Sequence, residues 1–367
     1  MRDHPVVSLY DRQGTFLDWL RAPVSLRATP RWLEPGTADL VVSPNDPRAA
    51  LLRQPGARVQ LSLRGDHVVG GPVTSWSTRG PRDESWSFHV TDDSAILERI
   101  LAYPTPSAAL TAQSPGSRSI AGPLETVVKT FIAENAPLLG VPIDIAADQG
   151  RGPVVTITGR WQPLSEVLLP HLRAAGMGLT VTWQPATNRL RMDVTVSRTY
   201  PIQLSVETRT ITAYEISASA PRATRVILGP AEGTVFQQAI NTPVETEWGA
   251  WLRGVTYRSA VSAEEQSTSA TEALNDSGQK SGMSVSLAET EFVRYGGAHG
   301  LHVGDKATLR IGDVEVTDIV RECVIDWAAG RALTVTPAVG AWDQSPTTIL
   351  ADAVRRMGAT IRRYVGR

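Results

Sequence analysis

A chain of 367 residues is longer than one ordinary hydrophobic core and implies two to four domains, while 42% hydrophobic and 20% charged residues fit a folded protein. Its 36 Lys and Arg against 37 Asp and Glu leave a formal net charge of −1, which offers no basic field for nucleic acid or an anionic membrane. The one cysteine, Cys323, excludes an intrachain disulfide and a cysteine-built metal cage, and its strand-like surroundings make it a small buried hydrophobe.

The start, Met1-Arg2-Asp3-His4-Pro5, lacks the apolar core of a signal peptide, and no run approaches the length of a membrane span. Val6 to Tyr10, followed by Gly14, reads as an opening hairpin, and Leu40 to Ser43 as a strand ending at Pro44. Asp46 and Pro47 mark the N-cap and first position of a short helix reaching Leu52. A second short helix is expected at 93–99, with Asp93 as its N-cap. Segment 104–123 is rich in Pro, Ser, Ala and Gly and reads as a loop or domain boundary.

An α/β portion comes next. Leu124, Val127, Val128, Phe131 and Ile132 recur at helical spacing between Pro123 and Asn135, and Leu164, Val167, Leu168 and Leu172 between Pro163 and Ala175. Strands are expected at Val154 to Thr158, Leu179 to Trp183 and Leu190 to Val196, the last two joined by a turn at 185–188. From Tyr200 the strands resume at Ile202 to Val206, Ile211 to Ser217, Thr224 to Leu228 and Met283 to Leu287. Between them the polar stretch Ser262 to Lys280 predicts a solvated helix, with Glu264 and Glu265 in its first turn. Tyr295 to Gly300 reads as a flexible approach to the strands beyond residue 302.

One pattern occurs twice, roughly 250 residues apart. The first copy is an alternating strand at 55–63, a turn at Gly65-Asp66, a long strand through Val68, Val69, Val73 and Trp76, and a third strand at 86–91. The second runs through 303–311, turns at Gly312-Asp313, continues through Val314, Val316, Ile319, Val320 and Cys323, and ends at 332–336. Two similar small β-modules separated by a long insertion suit a scaffold, because duplication multiplies an assembly surface.

Chemistry-bearing constellations are scarce. His299 and His302 are the closest histidines, with Asp305 nearby, but a Gly-rich loop gives them no fixed helical face, so a solvated turn is expected rather than a metal site. Gly296 to Gly300 lacks the spacing of a phosphate cradle, and there is neither a nucleophile elbow nor a His-Glu-x-x-His run. The expectation is therefore no catalytic, cofactor-binding or metal-binding residue and no cofactor. Ten tryptophans are scattered along the chain, and most are expected in the core or at a subunit interface, with a sugar-binding platform as the competing use. After Asp352 no acidic residue occurs, and Ile349, Leu350, Val354, Met357, Ile361 and Val365 alternate with arginines at helical spacing. A terminal amphipathic helix needs a cover, so Trp342, Leu350, Val354, Arg355, Arg356, Met357, Ile361, Arg362 and Arg363 are the expected partner interface.

Several short segments carry a resemblance: Pro55 to Arg58, Gly71-Pro72-Val73, Ala102-Tyr103-Pro104, Ala147 to Gly152, Gly159-Arg160-Trp161, Glu247-Trp248, Arg294-Tyr295-Gly296, Val316 to Glu322 and Thr336 to Gly340. In these, from about residue 5 to 342, the chain resembles a family of siphophage minor tail proteins, themselves similar to the baseplate hub of contractile tails. The resemblance implies a trimer with two related barrels per chain capping the tail tube. The fold class expected is α+β, mainly antiparallel β: two related small β-barrel modules with an α/β subdomain and a helical insertion between them, and a C-terminal helix. The corresponding domains are 1–105, 106–200, 201–342 with an inserted α/β segment at about 231–298, and 343–367. The implied function is a structural, non-enzymatic hub of a phage tail tip, a pseudo-sixfold ring joining the tube to tip or fibre proteins and surrounding the channel for genome delivery. Implied partners are two further copies, the distal tail ring, the tape measure, and tip or fibre proteins, without specific nucleic-acid binding or stable membrane insertion. The protein is expected at the tail tip of the virion, made in the host cytoplasm. Some relatives continue into a cell-wall-degrading domain, for which a chain ending at Arg367 leaves no room. Lysine occurs only at Lys129, Lys280 and Lys306, a skew that suits a GC-rich, actinobacterial host. The alternatives are a glycan- or cell-wall-binding module and a tail-associated cell-wall hydrolase or peptidase.

Overall fold

The fold comes from a computed structural model, which describes residues 4–21, 23–80, 85–230, 236–257, 280–312 and 314–340, together with Ala270, Ala273, Leu274 and Ser277. In chain order the strands are β1 (Val6–Tyr10), β2 (Phe16–Trp19), β3 (Ser25–Thr29), β4 (Thr37–Val42), β5 (Arg58–Leu63), β6 (Asp66–Arg79), β7 (Ser85–Thr91), β8 (Arg118–Pro123), β9 (Ile143–Ile145), β10 (Val154–Gly159), β11 (Met177–Gln184) and β12 (Arg189–Val196). They continue as β13 (Leu204–Ser205), β14 (Ile211–Ser219), β15 (Arg225–Pro230), β16 (Gln237–Ile240), β17 (Leu252–Tyr257), β18 (Lys280–Leu287), β19 (Lys306–Ile311), β20 (Val314–Ala328) and β21 (Thr334–Val339). The helices are α1 (Arg48–Leu52), α2 (Leu124–Asn135), α3 (Leu164–Ala174) and α4 (Thr242–Trp248). Among the described residues no helix is long and apolar enough to cross a membrane.

Two compact units result: Met1–Gln203 with Leu287–Ala307 and Asp318–Ala338, and Leu204–Ser286 with Thr308–Thr317 and Val339–Arg367. In the first, strands are ordered β21-β20-β3-β4-β7-β6-β5-β1-β2. Alternation makes this sheet two-faced: Val7 and Leu9 of β1, Val59, Leu61 and Leu63 of β5, and Ala38, Leu40 and Val42 of β4 all point into one core with Phe88, Val90, Cys323 and Ile325. β6 belongs to two pairings. Its first half runs antiparallel to β5, from Asp66 opposite Leu63 to Pro72 opposite Arg58, and its second half runs antiparallel to β7. The switch happens at Gly71, where a Cβ would stand 1.9 Å from the Thr91 carbonyl oxygen, so only glycine allows the approach. The pairing order is open, and no closed barrel occurs among the described residues.

A second core of the same unit forms around α2 and α3, with the two-stranded sheet β10-β8 and the three-stranded sheet β11-β12-β9. Each helix begins after a proline with no side-chain cap. Neighbouring carbonyls take the first-turn donors instead: Leu124 N–H donates to Pro153 O (2.9 Å), Glu125 N–H to Arg151 O (3.0 Å) and Leu164 N–H to Ile100 O (2.8 Å). Inside this core Glu125 is fully buried and accepts from Lys129 Nζ (2.7 Å) and Arg151 Nε (2.7 Å), while Lys129 Nζ also donates to Asp193 Oδ1 (2.9 Å) and Ala147 O (2.9 Å). Arg151 above all holds the Glu125 carboxyl well below the usual carboxylate range. The network ties α2, the 147–152 loop and β12 together.

In the second unit β14 neighbours β18, β13 runs parallel to β19, and β16-β15-β17 form a small sheet. Val226 and Ala223 pack there with Leu274, and α4 is capped by Asn241, whose Oδ1 accepts from Val244 N–H.

The twice-occurring pattern is present as two runs of successively paired strands of matched length: 6, 14 and 7 residues in β5-β6-β7, and 6, 15 and 6 in β19-β20-β21. Both long helices of the α/β portion lie where their periodicity predicts. Three expectations need correction. Segment 104–123 is not all loop: Arg118–Pro123 is a strand, paired with β10, whose Gly and Ser content hid it. Tyr295 to Gly300 is not loose, because Gly296 N–H donates to Leu301 O (2.9 Å), Gly300 N–H to Gly297 O (3.1 Å) and Leu301 N–H to Arg294 O (2.8 Å). The helix after Asp46 begins one residue later than expected, with Pro47 at its cap and Asp46 Oδ1 accepting from Arg48 N–H. Of the polar helix expected at 262–280, only Ala270, Ala273 and Leu274 are described and helical, and Glu264 and Glu265 lie outside the described residues.

Replacing Glu125 by Ala removes the fully buried carboxylate shared by Lys129 and Arg151 and leaves Lys129 only the half-buried Asp193 as a counter-charge, so urea unfolding should show a loss of about 3 kcal/mol. Replacing Glu125 and Lys129 together by Leu and Met should lose clearly less than the single change, which a double-mutant cycle reads directly.

Candidate functional site

The polar groups that converge most belong to a cavity of about 460 Å³ in the first unit, lined among others by Arg12, Arg58, Arg99, Asp92, Asp93 and Trp183. Arg12 sits in the β1–β2 turn, which Asp11 shapes by accepting from the Gln13 (2.9 Å) and Thr15 (2.8 Å) N–H groups. Arg58 opens β5, and its guanidinium lies 4.5 Å from the centre of the Trp183 ring. Trp183 is fixed in turn by donating from Nε1 to Asn188 Oδ1 (3.0 Å) and by Tyr10 packed edge-on at 4.9 Å. β7 ends at Thr91, and the chain then enters a 3-10 turn over Asp93–Glu98 that leads to Arg99.

That turn is capped by Asp92, whose Oδ1 accepts from Ser94 N–H (3.0 Å), and not by Asp93 as the sequence suggests. Asp93 is buried beneath Arg58, whose Nη2 donates to both of its oxygens (2.6 and 2.7 Å). Burial pushes its carboxyl up to about 6, the Arg58 charge opposing without cancelling it. The sequence gives no local signal for this pair, because Arg58 lies 35 residues before Asp93. Both Asp93 oxygens are held by arginine, and the cavity gathers charge and shape at one place.

Elsewhere the histidine pair separates. His299 is exposed, whereas His302 is half-buried between Asp66, 2.8 Å from its Nε2, and Asp305, 3.7 Å from its Nδ1. The hydrogen bond to Asp305, more than that to Asp66, raises the His302 pKa, and Arg198 closes the cluster by donating from Nη2 to Asp305 Oδ2 (2.6 Å). The expected solvated turn is therefore an ion-paired junction between the β5–β6 hairpin and the 295–305 segment. Among the described residues no group of three His, Cys, Asp or Glu side chains is gathered as a metal would require. Cys323 is buried, as its strand position predicts, and burial pushes its thiol far up.

Among the described residues only Trp32 (7% exposed) and Trp183 (5%) are core tryptophans, whereas Trp19, Trp76, Trp161, Trp248 and Trp251 are exposed in the single chain. Several stand in pairs: Phe16 with Trp19 (4.6 Å), Trp76 with Trp86 (5.3 Å) and Tyr103 with Trp161 (4.7 Å). The C-terminal interface residues Trp342, Leu350, Val354, Arg355, Arg356, Met357, Ile361, Arg362 and Arg363 lie outside the described residues.

The short sequence signatures are joints of the fold. Ala102-Tyr103-Pro104 meets Gly159-Arg160-Trp161 through Trp161 N–H donating to Ala102 O (2.7 Å) and Ala102 N–H to Gln162 O (2.8 Å). Ala147 to Gly152 wraps the buried Glu125, and Arg58 stands opposite Pro72. In Arg294-Tyr295-Gly296, the Tyr295 carbonyl accepts from Arg64 Nη1 (2.7 Å).

The same fold occurs in solved tail proteins. A 43 kDa tail protein of prophage MuSo2 from Shewanella oneidensis is similar with a TM-score of 0.57 and 12% identity, over 93% of this chain and 100% of that one. A tail protein from Neisseria meningitidis is similar at 0.53 and 12%, over 93% and 98%. A prophage tail protein from Listeria monocytogenes is similar at 0.51 and 10%, over 95% and 99%. The chain therefore has a mainly antiparallel β fold shared with phage tail proteins. A family model of Siphovirus ReqiPepy6 Gp37-like proteins matches residues 6–341, and the chain belongs to that family. No curated protein matches this sequence.

Because the Asp93 carboxyl titrates near 6 in the folded state and near 3.8 when exposed, the folded chain holds the extra proton between those values. Its contribution to stability is thus greatest at low pH and declines as pH rises through that window. The difference in unfolding free energy between the natural chain and Asp93→Asn should fall by about 2 kcal/mol from pH 4 to pH 7. Urea titrations at intervals across that range check it.

Proposed function

We propose that the chain is a structural, non-enzymatic hub protein of a phage tail tip. Three copies form a ring that joins the tail tube to tip or fibre proteins and surrounds the channel for genome delivery. The observation that carries this reading is the pair of three-stranded runs, β5-β6-β7 and β19-β20-β21, matched in strand length within one chain of a siphovirus family. Three copies present six comparable β-units, which reconciles sixfold tube rings with threefold tips, and closed rotation prevents open-ended growth. The proposed division is 1–105 and 201–342 as counterpart β-modules, 106–200 as the subdomain between them, and an inserted segment at about 231–298. Each module is completed into a barrel at its strand edges by its neighbour, which removes exposed edges. The segment 343–367 docks as a helix on a sister subunit or a partner through Leu350, Val354, Met357 and Ile361, flanked by Arg355, Arg356, Arg362 and Arg363, with Trp342 just before it joining the interface. The partners are the distal tail ring, the tape measure, and tip or fibre proteins, and the location is the virion tail tip.

A second reading is supported by the exposed aromatic pairs. Phe16 and Trp19 are exposed and tilted against each other, and exposed Trp76 leans on half-buried Trp86, surfaces that suit sugar rings. Saturable binding of a cell-wall glycan, lost in Trp76→Ala, would favour it over a purely structural role.

Two measurements test the hub. Imaged within the particle, three chains per ring should appear with the two β-modules alternating about the channel; six chains per ring overturns the proposal. Deleting residues 346–367 should leave a folded protein that fails to join the tail tip, and normal incorporation of the truncated chain would remove the docking role.

A further inference from the structure

Going beyond the hub role, we propose that the cavity between Arg12, Arg58 and Arg99 binds a phosphate ester of a small organic molecule. Three features point to an anion. Among the described residues the exposed side chains of Arg12 and Arg99 make no hydrogen bond or ion pair, though both border the cavity. Arg58 Nε is buried without an acceptor, a state that ordinarily costs about 1–3 kcal/mol and that an incoming oxygen would relieve. The two acids that also line the cavity are already engaged: Asp93 by Arg58 Nη2, and Asp92 by the backbone N–H groups of Ser94 and Gly70 (3.3 Å).

Geometry favours phosphate over carboxylate. The three arginines that border the cavity come from three separate elements, the β1–β2 turn, β5 and the end of the 3-10 turn. A tetrahedral phosphate offers three acceptor oxygens to donors arriving from separate elements, whereas a planar carboxylate offers two. The other walls are apolar, with Ile96, Val141 and Leu190 beside Trp183, and the volume of about 460 Å³ leaves room for an organic body next to the phosphate.

Calorimetric titration of the full chain with glucose 6-phosphate, glucose, inorganic phosphate and glutarate tests this. Glucose 6-phosphate should bind at one equivalent, more tightly than inorganic phosphate and less tightly as salt is added, and glucose should give no heat. Arg99→Ala and Arg12→Gln, the latter keeping the stem that packs on Gly56, should each weaken binding about tenfold with an unchanged melting temperature. Absence of saturable binding, equal affinity in the Arg12→Gln/Arg99→Ala chain, or tighter binding of glutarate than of glucose 6-phosphate would overturn the proposal. A melting temperature lowered in either variant would move the test to Arg99→Lys, which should retain charge and most of the affinity.

Discussion

The close approach of β6 to the end of β7 at Gly71 is the constraint on which the first unit depends. With no side chain there, the Thr91 carbonyl can lie against the β6 backbone, and one continuous strand leaves β5 and takes up β7. That strand crossing sets the position of the residues after Thr91. Asp92 arrives where it can cap the 3-10 turn, Asp93 arrives under Arg58, and the turn itself presents Leu97 and Ile100 to the core around α2 and α3. Any residue other than glycine would have to separate the strands, and the pairing of β6, the Arg58–Asp93 contact and the seating of the turn would shift together.

Periodicity made the large elements legible. α2 and α3 declared themselves through apolar residues three and four apart, and the paired runs β5-β6-β7 and β19-β20-β21 through alternation about a Gly-containing turn. Strands of low apolar content did not: Arg118–Pro123 holds Ser, Ala and Gly and is defined by its pairing with β10, and Ser25–Thr29 draws its place from β4 and β20. Long-range charge pairs were equally silent. Asp93 comes after an acid and precedes a helix-like run, so local rules assign it to a cap, whereas its partner lies 35 residues earlier. Local sequence reports what the backbone wants nearby and says little about which distant side chain neutralises a buried charge.

The same distinction explains why the sequence signatures looked non-catalytic. They sit where separate stretches of chain meet: around Glu125, between Ala102 and Trp161, and along the Arg64 and Asp66 contacts to the 295–305 segment. Residues of this kind hold segments in register. The exposed aromatics Phe16 and Trp19 on β2 and Trp76 on β6 lie apart from these joints, whereas Trp161, itself exposed, belongs to one of them.

The single cysteine adds a practical consequence. Cys323 is sealed in the core beside Ile325 and Phe88, and burial keeps its sulfur in the unreactive thiol form. The folded chain therefore behaves toward alkylating reagents as though it had no cysteine, and a thiol introduced at any chosen surface position would be the sole one labelled. Conversely, modification of Cys323 itself would time the opening of the first core, giving a chemical clock for any rearrangement that parts β20 from β3.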